Sequence, residues 1–337
     1  MKIMHPFPAA GPVGASRPNL ITAKGLTVDL PFGARETVRI VDDLNFSIRA
    51  GERVALVGES GSGKSMTARA LMRLDSHARI SGSVNFDGTE LLTLSERQMN
   101  SYRGSSIGMV FQDPMSFLDP LMTIGEQVAE TLRIRGVGKA EARKRALDVL
   151  DELRVDRAAQ RLDAYPHEFS GGMRQRVVLA MALVGEPRLL IADEPTTALD
   201  VRVQDQVLDL LDDVSERRGL AVLFITHDLG VVAGFAERVM VMYAGRIVED
   251  GTVETSFAEP LHPYTRGLIK AVPRIDQELG RLYAIPGSPP PPLARPGGCA
   301  FHPRCDKRFA PCDTVLPQLL PKGTSRVACH LHHPAES

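Results

Sequence analysis

Tryptophan is absent from the 337 residues and aromatics make up only 5% of them, so any large core must be built from aliphatic side chains. There is no charge excess: 40 Lys and Arg face 41 Asp and Glu, too even a balance for a chain whose main partner is a phosphate backbone. Long apolar runs are missing too. The longest, Val177–Val184, is well short of the ~18 residues that a membrane-spanning helix needs. The opening stretch MKIMHPFPAAGPVGASRPNL is broken by prolines and has no continuous apolar region, which predicts a flexible tail over residues 1–20 rather than an export signal. Cysteine does not occur before Cys299, and then four fall within the last 39 residues. With no export signal in view, disulfides are disfavoured and a cytoplasmic setting is expected.

What is present alternates between two strand types. Leu44, Phe46 and Ile48, and the run Ser83–Phe86, show the alternation of half-exposed antiparallel strands. Arg53–Val57, Ile107–Phe111, Leu189–Ala192 and Ala221–Ile225 are short and nearly all apolar, as in strands of a parallel sheet covered on both faces by helices. Helical spacing recurs at Ile124, Val128 and Leu132 and at Ala146, Val149, Leu150 and Leu153, predicting a helical insert over about 113–167. Val203 to Val214 marks a further helix with Gly219 as its C-cap, and Ala244-Gly245 marks a hairpin turn. Composition then shifts at PLHPYTRG (260–267), and PGSPPPPLARPGG (286–298) predicts an extended spacer.

GESGSGKS (58–65) follows an apolar strand and precedes the helical stretch MTARALMRL. That is the setting in which glycines let backbone N–H groups wrap phosphates, with Lys64 reaching the β/γ-phosphates and the Ser65 hydroxyl meeting Mg2+. Gly58, Glu59, Ser60, Gly61, Ser62, Gly63, Lys64, Ser65 and Met66 thus form the candidate nucleoside triphosphate cradle. In LLIADEP a buried strand ends on Asp193, placed to hold Mg2+, and Glu194 beside it is the candidate general base for an attacking water. Gln112 and His227 also follow apolar strands, so a parallel sheet would bring Gln112, Asp193 and His227 to one crevice. EFSGGMRQR (168–176) precedes a nearly all-apolar helix: Ser170 can cap it, and Gly171 and Gly172 leave its first N–H groups open to an anion. A second anion site in a chain that already has one suggests service to another subunit's nucleotide.

Together these residues resemble the ATP-binding-cassette (ABC) family over roughly 21–255. GESGSGKS resembles its Walker A, Gln112 its Q-loop, SGGMRQ its signature, LLIADE its Walker B, Thr197–Asp200 its D-loop and His227 its switch histidine. The resemblance implies a P-loop ABC α/β fold with a mostly parallel core sheet, an antiparallel β subdomain and a helical subdomain. It also implies two cassettes sandwiching two ATP molecules, so that Ser170, Gly171, Gly172, Gln175 and Asp200 join Walker A as nucleotide-binding residues, with Ser65, Gln112 and Asp193 around Mg2+ and Glu194, Gln112 and His227 catalytic. The aromatic that usually stacks on adenine is missing from GARETVRI, and Phe32 is the nearest alternative.

VFQDPMSFLDPLMTIGEQ, LHPYTRGLIKAVP and the tail PGSPPPP with CAFHPRC resemble the oligopeptide/dipeptide/nickel import branch. That branch implies an ATP-hydrolysing motor on the cytoplasmic face of a bacterial inner membrane. Its partners would be two permease subunits, a second and commonly non-identical cassette, and an extracytoplasmic peptide-binding protein; nucleic acid is not among them. The expected division is a cassette over 21–258 and an extension over 259–337. Import of nickel or another solute is the alternative; a soluble ABC ATPase of DNA repair or translation and a metal-binding regulator are more distant ones.

The spacing Cys299-x5-Cys305-x6-Cys312-x16-Cys329 matches neither paired zinc knuckles nor the short ferredoxin spacings. Four thiolates in a proline-stiffened segment with few apolar residues nevertheless predict a shared metal centre that orders the segment. The import branch implies a [4Fe–4S] cluster on these four cysteines, with zinc as the alternative.

Overall fold

The computed structural model describes residues 17–33, 36–196, 200–272 and 283–333. In chain order the strands are β1 (Asn19–Phe32), β2 (Glu36–Arg49), β3 (Arg53–Val57), β4 (Arg79–Phe86), β5 (Thr89–Glu90) and β6 (Ile107–Val110). They continue with β7 (Leu189–Asp193), β8 (Ala221–Thr226), β9 (Arg238–Tyr243), β10 (Arg246–Thr252), β11 (Leu320–Lys322) and β12 (Ser325–Val327).

Strand order β2-β1-β4-β5 makes a four-stranded antiparallel sheet, and β11-β12-β10-β9-β3-β8-β7-β6 an eight-stranded one. Within the larger sheet β9, β3, β8, β7 and β6 run parallel, while β10 and β12 are added antiparallel. Every residue of β7 and β8 is buried, as expected of strands with both faces covered. The β9–β10 hairpin turns on Ala244 and Gly245, both at positive φ (45° and 85°), the backbone that a two-residue hairpin requires.

The insert holds helices Ile124–Ile134, Lys139–Glu152 and Ala158–Arg161. Its apolar stripe, including Val128, Leu132, Ala146 and Leu150, joins one face of the sheet in a single core. The antiparallel sheet covers the other face, with Leu26, Leu44, Ile48 and Val84 packing against the helix Lys64–Leu71 and against Leu56. Helix Val201–Arg218 starts where the Asp200 carboxylate accepts the Val203 N–H (3.0 Å) and stops at Gly219, φ 61°. Residues 1–16 of the expected tail lie outside the described residues; Asn19 and Leu20 already belong to β1.

The C-terminal segment departs from the sequence expectation. β12 pairs with β10 (Glu249 opposite Val327, Asp250 opposite Arg326), so the tail lengthens the main sheet. Tyr264, on the helix Pro263–Ala271, and Phe301 join Ala55, Val57 and Tyr243 in a third core. Tyr264 is fully buried, with its ring 4.6 Å from that of Tyr243. Phe301 stands edge-on to Tyr243 at 5.3 Å and lies 5.4 Å from Tyr264. Strand pairing and aromatic packing supply the order for which a metal was invoked.

Candidate ATP-hydrolysis site

The glycines of the phosphate loop are required by contact as well as by turn. Gly58 has φ 155°, and a Cβ there would lie 2.2 Å from the Met242 carbonyl oxygen; at Gly63 (φ 107°) it would meet Met242 Cε at 2.8 Å. The loop is therefore pressed against β9 and closes directly into the helix Lys64–Leu71, whose N-terminus carries no side-chain cap and so suits an anion. Lys64 is buried and donates from Nζ to the carbonyls of Gly58 (2.7 Å) and Glu59 (3.1 Å). Burial lowers its pKa, while Glu194, Asp193 and Glu59 favour the charged form.

The sheet brings the remaining residues to the same edge. The loop follows β3, Asp193 ends β7, His227 follows β8, and Gln112 follows β6; these four strands are adjacent and parallel, so their carboxyl ends open on one side. Ser65 Oγ donates to Asp193 Oδ1 at 3.0 Å, joining Walker A to Walker B. Asp193 is nearly inaccessible, and burial, opposed by the Ser65 bond, raises its pKa. A hard cation beside that carboxylate offsets the cost of keeping it charged, so the donor set fits Mg2+.

Glu194 sits at φ 50°, a left-handed backbone uncommon outside glycine, with its N–H on the Ile225 carbonyl (2.9 Å). That turn points its carboxylate between two of the expected partners: Oε1 lies 3.1 Å from His227 Nδ1, and Oε2 accepts from Gln112 Nε2 at 3.4 Å. Gln112, Asp193, Glu194 and His227 therefore converge around one site, as their strand-end positions predict.

The signature residues lie elsewhere. Ser170 Oγ accepts the Met173 N–H (3.4 Å) and caps the helix Gly171–Leu183; Gly171 is exposed, with open space where a Cβ would stand. Gly172 packs against Val203, where a Cβ would come within 2.8 Å of Cγ1. Gln175 is buried and donates to the Pro195 carbonyl, tying the signature helix to the exit of Walker B. Thr197, Ala198 and Leu199 of the D-loop lie outside the described residues, and Asp200 is the cap already described. Phe32 is exposed at the end of β1.

The chain as a whole matches known ATP-binding cassettes. The family profile described as ABC transporter matches residues 41–197, and that of the oligopeptide/dipeptide transporter C-terminal region matches 248–312. The chain is 52% identical over 282 residues to the oligopeptide transport ATP-binding protein OppD of Salmonella typhimurium, covering 83% of this chain and 84% of that protein. The chain belongs to the ABC transporter ATPase family. AppD of Bacillus subtilis, also an oligopeptide transport ATP-binding protein, is 48% identical over 306 residues, 89% of this chain and 93% of its own. Among solved structures, a dimeric ATP-binding cassette in a post-hydrolysis state, bound to ADP and Pi, superposes with a TM-score of 0.61 at 31% identity, over 69% of this ABC ATPase and 98% of that chain. The cbiO1 subunit of Clostridium perfringens, part of the ABC transporter complex cbiONQ, gives 0.63 at 27% identity over 72% and 92%. Among the described residues no helix is long and apolar enough to cross a membrane.

The metal expectation is overturned. Cys299, Cys305, Cys312 and Cys329 are all free thiols that border one small cavity. Among the described residues, however, no three His, Cys, Asp or Glu side chains are disposed to hold a metal ion, so the [4Fe–4S] cluster does not fit this ABC ATPase, nor does the zinc alternative. Burial pushes the Cys299 thiol up to about 11 and raises Cys305 and Cys329. Cys299 and Cys305 pack against the third core instead, and the Cys299 N–H donates to the Cys312 carbonyl at 2.8 Å.

Sequence reasoning also missed two residues. Tyr264 and Arg304 reach Glu59 of the phosphate loop across 205 and 245 positions, a separation that leaves no local signal.

Proposed function

We propose that this ABC ATPase is the ATP-hydrolysing motor of a bacterial peptide importer, seated on the cytoplasmic face of the inner membrane. It would work with a second, non-identical cassette, two permease subunits and, through them, an extracytoplasmic peptide-binding protein. The observation that carries the hydrolytic half is Glu194 held between Gln112 and His227 next to the Ser65–Asp193 pair. Lys64 and the loop N–H groups bind the β- and γ-phosphates; Ser65 and Asp193 would hold Mg2+, whose positive charge would offset the negative charge of the phosphates. Glu194 orients the attacking water and draws off its proton, and His227 at Nδ1 keeps the carboxylate aimed.

The open N-terminus at Ser170 and Gly171 lies on a helix apart from this chain's phosphate loop, which supports its use on the partner cassette's nucleotide. Closure of the two cassettes is then the bistable element that ATP biases and the permeases read. The peptide reading rests on the oligopeptide transport ATP-binding relatives and on the 248–312 match. Its test is ATP-driven peptide uptake by proteoliposomes holding the whole importer, compared with ATPase activity of the isolated chain. Uptake that stops without this chain, together with little hydrolysis by the monomer, is the expected result. Robust hydrolysis by a demonstrated monomer, or uptake of nickel but not peptides, overturns it.

A further inference from the structure

Glu59 is the second residue of the phosphate loop, and its contacts lead away from the nucleotide. Its N–H donates to the Tyr264 hydroxyl at 2.8 Å, and its carboxylate accepts both Arg304 Nη1 (2.6 Å) and Nη2 (3.0 Å). Such a forked guanidinium–carboxylate pair fixes angle as well as distance. Its main-chain carbonyl, with that of Gly58, holds the Lys64 ammonium. The residue that sets where Lys64 rests is thus pinned from two directions by the C-terminal segment.

The holders are themselves rigid. The Arg304 side chain is only 5% exposed; its Nε donates to the Pro286 carbonyl at 2.8 Å, and its guanidinium lies 5.8 Å from the ring centres of both Tyr243 and Phe301. Burial works against its charge, but the bonds to Glu59 and Tyr243 outweigh burial and raise its pKa. Tyr264 is locked in the same aromatic cluster. A second support enters at mid-loop. Gly245 N–H donates to the Ser62 carbonyl at 2.8 Å, and Arg295, from the proline-rich spacer, donates to the Ile40 carbonyl at 2.8 Å while closing over Gly245, where a Cβ would lie 2.5 Å from Nη2.

We propose that Tyr264 and Arg304 are positioning residues for ATP binding, by which the C-terminal segment holds the phosphate loop in its binding shape through Glu59. A cradle ordered in advance does not spend binding energy on ordering itself, so losing the support weakens affinity. Water attack is left alone, because Gln112, Glu194 and His227 are held by other strands. The inference deepens the ATP-site reading and rests on it.

The test is titration of full-length Arg304→Gln, Arg304→Lys, Tyr264→Phe and Glu59→Gln with a fluorescent ATP analogue, paired with steady-state ATPase kinetics of the assembled importer. Arg304→Gln is expected to raise Kd and KM about tenfold, within the usual range of coupling between linked sites, with kcat at saturating ATP nearly unchanged. Arg304→Lys should recover part of the lost affinity, and the Glu59→Gln/Arg304→Gln double variant should lose no more than either single. Tyr264→Phe removes one hydroxyl from a packed ring and decides the matter if Arg304→Gln does not fold. Wild-type affinity in both Tyr264→Phe and Arg304→Gln, a fall in kcat at constant KM, or additive losses in the double variant overturns the positioning role. Lys64→Ala separates the two readings: unchanged ATP affinity there means that the site itself is misassigned, whereas a loss there with both Tyr264→Phe and Arg304→Gln at wild-type affinity defeats the positioning role alone.

Discussion

The phosphate loop and the cysteine-bearing tail meet at Glu59, yet they answer to different kinds of information. In the loop, function follows from the backbone of eight contiguous residues: Gly58 and Gly63 stand where any Cβ would strike β9 or adopt a costly φ, so the motif spells out its own geometry. In the tail four cysteines draw the eye, but what places them is Phe301 against Tyr243 and Tyr264, and β12 on β10, contacts that cross long stretches of sequence. Spacing identifies chemistry when the chain itself makes the site, and misleads when distant packing does.

The comparison is broken most forcefully at Glu194. If the loop and its strand-end partners are one machine, Glu194→Gln keeps ATP binding and loses about 1,000-fold in turnover of the assembled importer, a mid-range value for removing a general base. Turnover within a few-fold of wild type would move the base elsewhere.

Next in size is the tail's own anchor. Phe301→Ala empties the centre of the third core and should cost about 3 kcal/mol, the low end for a buried phenylalanine, read as a drop in the denaturant midpoint. A cost under about 1 kcal/mol, small for a large-to-small core change, would mean that something other than the aromatic cluster orders the tail. Lys64→Ala comes third, since it deletes a charged donor to the phosphates: about 2 kcal/mol, or roughly thirtyfold in ATP affinity, is the expectation for a hydrogen bond between charged groups.

How much of this was legible follows the same division. The parallel strands could be read because β3, β7 and β8 each hold four or five consecutive apolar residues, whose burial on both faces leaves no alternation. The convergence of Gln112, Glu194 and His227 could be read because adjacent parallel strands must open on one edge. The tail's strands could not be, since β11 and β12 are three residues each and make sense only as additions to an existing sheet edge. Nor could the Arg304–Glu59 pair, since a lone arginine in HPRC carries no period and no neighbour that names its partner. The cysteines carried a strong compositional signal, and it pointed to a metal because the sequence does not display the aromatic packing that orders the segment without one.

The smallest effect separates the two regions by pH. His262 sits at the start of the helix Pro263–Ala271, only 1% exposed, with Nδ1 accepting the Tyr264 N–H at 3.1 Å. Burial, with the nearby His332 adding to it, lowers its pKa to about 3. The folded protein therefore keeps His262 neutral while the unfolded chain takes up a proton near pH 6.5, so stability present above 6.5 is lost as pH falls from there towards 3. At pH 5.5 the loss from this group is about 1.4 kcal/mol, one unit below the unfolded value. Glu249, whose carboxylate accepts the Leu261 and His262 N–H groups, is raised by burial and works in the opposite sense, so wild type alone would blur the result. The difference between wild type and His262→Gln cancels Glu249 and isolates the histidine. Denaturant unfolding at pH 7.5, 6.5 and 5.5 should show wild type losing about 1 kcal/mol more stability than the variant over the lower step and about a third as much over the upper one. Parallel curves throughout would mean that His262 is protonated in the folded tail.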